Sequence, residues 1–301
     1  MDNILYNNTV VNAFSELTPS ILIAPLHLGL MPKPERVPDV HEAFDTDRYM
    51  SLHRKARYAI VAALEDLHLQ KEDVVTVLTT SGNFYVSGCV TKAIEQVCRW
   101  NRDICADTKA IFVIHEFGYP YKGLSELKQY GLPIIEDCAY AFFSKDEEIG
   151  LVGNYVIYSL PKAFNMQMGG VMLSHSKVTN GTTDFETDYI LSHLSFGLKE
   201  KQNIIEKRLQ NYDYLCKALA PIGITPFFEL KEDIVPGTFL FKWLEDIDYP
   251  NMKEFMQRNG VESSVFYGKN AFFIPMHHNL TKNELDYIIN LLEYYYENRM
   301  K

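Results

Sequence analysis

The sequence predicts an α/β fold with a mostly parallel sheet, and two observations carry that prediction. Short runs that are apolar throughout recur at 74–78, 110–114, 132–135, 155–158 and 171–173, and stretches with helical spacing separate the earlier runs. A strand inside a parallel sheet is covered on both faces, so it is apolar throughout rather than alternating. The runs are therefore expected to be the strands of one buried sheet.

The helical stretches alternate with these strands in chain order. Ala56, Ile60, Ala63 and Leu67 recur at helical spacing before the first run, and residues 86–100 read as a second helix before the next. Residues 122–130 read as a third. The first 50 residues, with five prolines from Pro19 to Pro38, read as an irregular arm.

The sequence pattern changes near residue 200 from short apolar runs to long polar stretches. Helices are expected at 199–219, at 251–259 and from Thr281 onward. Thr281 and Glu284 have the spacing of a capping box, and short apolar runs at 239–243 and 261–266 lie between the helices. The predicted organisation is an arm at 1–50, a large α/β domain at 51–205 and a smaller α+β domain at 206–301.

Charge and composition exclude several classes of partner. The formal charge is −10, from 39 acidic and 29 basic residues, so a nucleic-acid or anionic-membrane surface is not expected. No window reaches the roughly 20 apolar residues of a membrane span, and the N-terminus lacks the basic region of a signal peptide. The five cysteines form neither CxxC pairs nor a Cys/His cluster, which predicts no disulfide framework, no metal site and a cytoplasmic location.

Two segments carry candidate chemistry. The apolar run at 132–135 ends in Glu136 and Asp137, and ligands bind at the carboxyl ends of parallel strands. Asp137 could also simply cap a helix. Lys162 follows Ser159 by three residues in an apolar setting, which suits an amine that attacks a carbonyl, although a solvated loop lysine is the commoner case.

The aspartate and lysine together favour pyridoxal phosphate as cofactor. A lysine holds the aldehyde of that cofactor, and an aspartate keeps its pyridine nitrogen protonated so that the ring can accept electrons. The Gly169-Gly170 pair that follows Lys162 allows a close backbone approach.

Three segments resemble the DegT type of sugar-nucleotide aminotransferases, which have the aspartate-aminotransferase-like fold type I. They are residues 108–120, residues 130–139 with the Glu-Asp-Cys-Ala motif, and residues 159–170 from Ser159 to the Gly-Gly pair; residues 274–281 resemble the family more weakly. The departures are His53 in place of a usual glycine, a shorter serine-to-lysine spacing, and missing length in the N-terminal segment and between Trp100 and Thr108.

The resemblance implies a role for each matching residue. Lys162 would bind the cofactor and move the proton, Asp137 would pair with the pyridine nitrogen, and Ser159 would hold the phosphate. Tyr140 stands where relatives place a Gln or His beside the cofactor, with a core tyrosine as the alternative. Further expected cofactor contacts are Tyr85, preferred over Phe84 for stacking on the ring, and Arg54 and Lys55 at a helix start that binds phosphate.

The resemblance further implies an aminotransferase that moves an amino group, with glutamate as expected donor, onto a nucleotide-linked keto sugar, as in polysaccharide biosynthesis. A homodimer with sites at the subunit interface is expected. Two alternatives stay open: a sugar dehydratase that uses the same cofactor, although those relatives carry histidine in place of the lysine, and a degenerate member that binds cofactor or sugar nucleotide without catalysis.

Overall fold

The computed structural model describes residues 20–26, 44 and 46–298. They pack as two units. The larger unit comprises described residues from 26 to 203 together with 231–237, and the smaller comprises 20–25, 204–230 and 238–298. Nothing in the sequence pattern indicated that residues 231–237 belong to the larger unit. Most of the predicted arm lies outside the described residues.

The larger unit is built on a seven-stranded sheet within the described chain. Its strands are β1 (Tyr49–His53), β2 (Val74–Thr79), β3 (Arg99–Asn101), β4 (Thr108–Ile114), β5 (Ile134–Asp137), β6 (Tyr155–Ser159) and β7 (Gly170–Ser174), in the spatial order β1-β7-β6-β5-β4-β2-β3. Strand β7 runs antiparallel to both of its neighbours, and every other pair is parallel. The predicted fold class, α/β with a mostly parallel sheet, is confirmed.

Helices and 3₁₀ turns connect the strands of this sheet. They are α1 (Ala56–Asp66), α2 (Gly88–Val97), the short α3 (Leu160–Ala163) and α4 (Asp184–Lys199), with 3₁₀ turns at Glu116–Gly118 and Ser125–Tyr130. On β4, Ala110 and Phe112 pack into the cluster that contains α1 and α2, while Ile111 and Val113 pack into the opposite cluster. Burial on both faces explains why these strands are apolar throughout.

Several elements differ from the sequence prediction; the helix expected at 122–130, for example, is the 3₁₀ turn Ser125–Tyr130. The segment from Ser51 was expected to lead into the helix directly, but residues 49–53 form strand β1, and the helix begins at Ala56. Helix α2 ends at Val97 rather than near residue 100, because residues 99–101 pair with β2 as strand β3. Helix α4 was not predicted, although Thr183 and Glu186 form the capping box that starts it.

The smaller unit combines an antiparallel sheet with helices. Its elements are α5 (Lys201–Leu219), β8 (Ile224–Pro226), β9 (Phe239–Trp243), α6 (Tyr249–Arg258), β10 (Ser264–Phe266), β11 (Ala271–Ile274) and α7 (Lys282–Asn298), and the strand order is β10-β11-β9-β8. The predicted capping box of α7 is present: the Thr281 N–H donates to Glu284 Oε2 at 2.7 Å, and the Glu284 N–H donates to Thr281 Oγ1 at 3.3 Å. None of the described helices is long and apolar enough to cross a membrane.

Substitution of Gly170 tests whether β7 packs directly against the start of α1. A Cβ at Gly170 would lie 2.6 Å from the backbone nitrogen of Ala56, so Gly170→Ala forces the backbone apart. Overpacking of this kind costs about 1–3 kcal/mol, which should lower the urea midpoint of unfolding measured by circular dichroism. Gly88→Ala is the matched control, because a Cβ there meets nothing within 4 Å. Equal midpoints for the two variants would contradict this packing.

Candidate functional site

The candidate site lies where the parallel strands of the larger unit end. Thr79, Ile114, Asp137 and Ile157 occupy matching register positions on β2, β4, β5 and β6. The turns that follow these residues therefore leave from one edge of the sheet, where open parallel sheets bind ligands. Asp137 and the Ser159–Lys162 segment lie on neighbouring strand ends at this edge.

Asp137 is a buried carboxylate that accepts a backbone hydrogen bond. Its side chain accepts from the Ala139 N–H at 2.9 Å through Oδ1, and within the described part of the chain Oδ2 accepts no hydrogen bond. Burial raises the pKa of Asp137, and the positive charge of Lys162 opposes that rise. A buried carboxylate with a vacant acceptor position suits a positively charged N–H donor on a ligand.

Lys162 lies on α3, immediately after β6, with its amine over an aromatic ring. Its Nζ atom is 3.7 Å from the centroid of the Tyr140 ring, within cation–π range. The Tyr140 ring also stacks with Phe117 at 5.8 Å between centroids and 27° between planes. Two sequence-predicted residues, Lys162 and Tyr140, are thus in direct contact, and Phe117 continues the stack.

Tyr140 is held in place by backbone as well as by Phe117. A Cβ at Gly237 would lie 2.3 Å from Tyr140 Cδ1, so the ring packs directly on that glycine. The Gly237 N–H donates to the Phe117 carbonyl at 2.8 Å, and the Val235 N–H donates to Ser144 Oγ at 3.0 Å. Sequence reasoning missed this contribution from residues 231–237, because they come nearly a hundred residues after Tyr140 in the chain.

The opposite end of the site is formed by Ser159 and the start of α1. Ser159 pairs with Gly170 across β6 and β7, and Gly170 pairs with His53 at the end of β1. The N-cap of α1 is Lys55, and no side chain caps the helix there. The first N–H groups of a helix carry partial positive charge and favour an anion.

Arg54 and Lys55 flank this helix start on the surface. The Arg54 side chain is 59% exposed and lies 3.5 Å from Glu186 as an ion pair, and its carbonyl accepts from the Gly169 N–H. His53, by contrast, is buried, and its Nε2 lies 3.1 Å from Ser51 Oγ. Burial lowers the pKa of His53 to about 4, so this residue is neutral at pH 7 and adds no charge to the helix start.

The loop after β2 carries the two aromatic side chains considered for stacking. Phe84 is 75% exposed and Tyr85 is 46% exposed. The Tyr85 N–H donates to the side-chain oxygen of buried Asn83 at 3.3 Å, which ties Tyr85 to the body of the loop. Tyr85 is thus the more enclosed and better anchored of the two.

Glu136, next to Asp137, organises the neighbouring loop. Its carboxylate accepts from the N–H groups of Gly150, Val152 and Gly153 and from His115 Nε2 at 3.0 Å. Burial alone would raise the pKa of Glu136, but His115 and these backbone donors outweigh it and hold the pKa below its usual value. Adjacent strand residues point to opposite faces, which separates this carboxylate from Asp137.

The buried group of His115, Glu136 and Cys138 has donor atoms within 4.8 Å of one another, yet its chemistry does not suit a metal. The Tyr121 N–H donates to His115 Nδ1 at 3.1 Å, so Nε2 carries the proton that it donates to Glu136. A protonated nitrogen cannot ligate a metal, and the Glu136 oxygens are already occupied by donors.

Glu136→Gln is expected to destabilise the protein, because an amide NH₂ would face backbone N–H donors. The loss at pH 7 should be about 1–3 kcal/mol, measured by urea unfolding. Since the folded-state pKa is lowered from 4.5, the wild-type advantage exists above that value and disappears as the pH falls through the folded-state pKa. Exposed Glu147→Gln is the control. A deficit that is constant from pH 7 to pH 3 would refute the role of the carboxylate charge.

Comparison with known proteins shows similarity at the level of the fold. No protein-family model matches the sequence, and no curated protein matches it. Solved structures do: the aminotransferase TlmJ from Streptoalloteichus hindustanus has a TM-score of 0.72 at 14% identity, over 89% of this chain and 93% of that one. The putative sugar aminotransferase Spr1654 from Streptococcus pneumoniae, in its PMP form, has a TM-score of 0.67 at 15% identity, over 88% and 92%.

A DegT DnrJ EryC1 StrS aminotransferase from Brucella abortus is similar to the same degree, with a TM-score of 0.67 at 14% identity, over 88% of this chain and 92% of that one. These matches cover nearly the whole length of the solved chains. The resemblance in the three sequence segments thus extends to the fold, and the chain has the fold-type-I architecture of sugar aminotransferases.

Proposed function

We propose that this chain is a pyridoxal-phosphate-dependent aminotransferase that moves an amino group, with glutamate as donor, onto a nucleotide-linked keto sugar. The observation that carries the proposal is the pair of Asp137 and Lys162 at one edge of the sheet. The Asp137 carboxylate is buried, its Oδ2 accepts no hydrogen bond from the described residues, and the Lys162 charge acts on it. The solved PMP form of Spr1654, which shares the fold, supports this choice of cofactor.

The residues fit the cofactor at its reactive end. Pyridoxal phosphate supplies an aldehyde that bonds to amines and a ring that accepts an electron pair. Lys162 would hold the cofactor through Nζ and, once displaced by the donor amine, carry a proton between the two carbon atoms that exchange it. Asp137 would accept the hydrogen bond of the ring nitrogen and keep its proton in place, because a buried carboxylate stabilises a positively charged donor.

The remaining site residues would bind and orient the cofactor. The hydroxyl of Ser159 and the uncapped N–H groups of α1 suit a phosphate, and Arg54 and Lys55 add positive charge beside them. Tyr85 would stack on the ring. Tyr140 supports Lys162 through the face of its ring, which leaves its hydroxyl available for a contact with the cofactor.

The two alternative functions, a sugar dehydratase and a degenerate binding protein, would need different residues in the site. A sugar dehydratase of this fold would need histidine where the chain has Lys162. A degenerate binding protein keeps the cofactor contacts but loses the reaction, and the burial of His53, which leaves it neutral at the phosphate end, is the feature that favours it. Tight cofactor binding without amino transfer from any donor would support that alternative.

A cytoplasmic location is proposed from the cysteines. All five are free, and Cys89 and Cys105 are exposed. Exposed thiols persist most readily in a reducing compartment, so recovery of the protein only in an oxidising compartment would contradict the proposal.

A homodimer is proposed from the exposed aromatic side chains of the larger unit. Tyr58, Phe84 and Phe185 are 45%, 75% and 74% exposed, and a second copy that covered them would bury apolar surface. Light scattering should give twice the chain mass of 34.7 kDa. A fully active monomer would refute the dimer and leave the reaction in place.

The reaction itself is tested through Lys162. With added pyridoxal phosphate, the protein should show a visible absorbance band that disappears on addition of glutamate, and borohydride should fix the cofactor to the peptide that contains Lys162. Lys162→Ala should lose the band, the fixed peptide and all measurable turnover, because Nζ of Lys162 is the amine that would bond to the aldehyde. The matched control is Lys177→Ala, an exposed lysine outside the site, which should retain all three.

Asp137→Asn separates covalent attachment from electrostatics in the same assay. This variant should still fix the cofactor to Lys162 but should lose about 10²-fold or more in turnover, because the ring nitrogen loses its anionic partner.

Normal turnover by Lys162→Ala, or fixation of the cofactor at another lysine, would refute the proposed function.

A further inference from the structure

The edge strand β3 is too short to cover its neighbour. It pairs with β2 only at Val74, Val75 and Thr76, so within the described residues the later half of β2, up to Thr79, has no strand on that side. Unpaired backbone acceptors at a sheet edge need other donors.

The side chain of Arg102, the first residue after β3, supplies those donors. Its Nη1 donates to the Val77 carbonyl, and its Nη2 donates to Thr79 Oγ1 at 3.2 Å and to the Asn83 carbonyl. The guanidinium therefore continues the edge that β3 leaves open. It also joins β2 to the loop that follows β2, since Asn83 lies in that loop.

The same loop is tied on its other side to the segment after β4. The Ser81 N–H donates to Glu116 Oε2 at 2.7 Å, and the Glu116 N–H donates to Thr80 Oγ1 at 3.0 Å. Burial lowers the pKa of Arg102, and the negative charge of Glu116 opposes that effect. A cation and an anion thus anchor one loop from opposite sides.

We propose that Arg102 is a positioning residue that replaces the missing part of β3 and fixes the 80–85 loop, so that Tyr85 is held in place for stacking on the cofactor. This inference rests on the proposed function. The terminal nitrogens of Arg102 donate to the Val77 and Asn83 carbonyls and to the Thr79 hydroxyl. Through these bonds Arg102 acts on the loop, and the loop carries Tyr85.

The conservative and control variants follow from this geometry. Arg102→Gln removes the charge and most of the donors, whereas Arg102→Lys keeps the charge but cannot reach three acceptors at once. Arg99→Gln is the matched control, because Arg99 is the first residue of β3 and donates there to the Glu72 carbonyl. All variants are compared as full-length protein with normal circular dichroism.

Amide hydrogen exchange of the cofactor-free protein gives the first readout. In Arg102→Gln, the amides of residues 79–87 should exchange about 10-fold faster, while those of β5 and β6 keep their wild-type rates. Arg102→Lys should fall between, and Arg99→Gln should match the wild type. Unchanged exchange at 79–87 in Arg102→Gln overturns the proposal, whatever the cofactor does.

A double-mutant cycle with Tyr85→Leu gives the second readout, the dissociation constant of pyridoxal phosphate. Arg102→Gln should weaken cofactor binding about 10-fold in the wild-type background and about 2-fold or less in the Tyr85→Leu background, because the effect acts through Tyr85. Equal effects in both backgrounds overturn the positioning role. A wild-type protein that binds no cofactor overturns the proposed function and this role together, while hydrogen exchange still decides whether Arg102 anchors the loop.

Discussion

The parallel register of β2, β4, β5 and β6 is the constraint on which the candidate site depends. The register pairs four residues on neighbouring strands: Thr79, Ile114, Asp137 and Ile157. Segments far apart in the chain therefore leave the sheet at the same edge. The segments that meet at this edge are the 80–85 loop with its two aromatic residues, the turn that contains Phe117, and the segments that carry Asp137 and Lys162. Each turn is short and hydrogen-bonded, so the strand positions fix the side-chain positions closely.

The neighbouring carboxylates Glu136 and Asp137 show how the environment divides two similar groups. Glu136 faces three backbone N–H groups and His115, which hold its pKa low, whereas burial with a single backbone donor raises the pKa of Asp137. Glu136 is therefore fully used in holding the loop at Gly150–Gly153. Asp137 keeps an acceptor position for a ligand, and the Lys162 charge offsets part of its desolvation.

Close backbone contacts and one arginine hold the larger unit together at three places. Gly170 lets β7 approach the start of α1, and Gly237 lets residues 231–237 pack on the Tyr140 ring. Arg102 covers the edge of β2 that β3 leaves open. In each case a small residue or a long polar side chain joins segments that are distant in the sequence.

The sequence by itself determined the fold class, the central strands and helix α7, because uninterrupted apolar runs and a capping box are local signals. It also singled out Asp137, Ser159 and Lys162 as candidate site residues, since their residue types follow strands in a recognisable pattern. Only the tertiary structure decided that 49–53 and 99–101 are strands, because edge strands depend on partners distant in sequence. The Lys162–Tyr140–Phe117 stack, the return of residues 231–237 and the Arg102 contacts were likewise decided by packing, since no local pattern specifies which distant residues will meet.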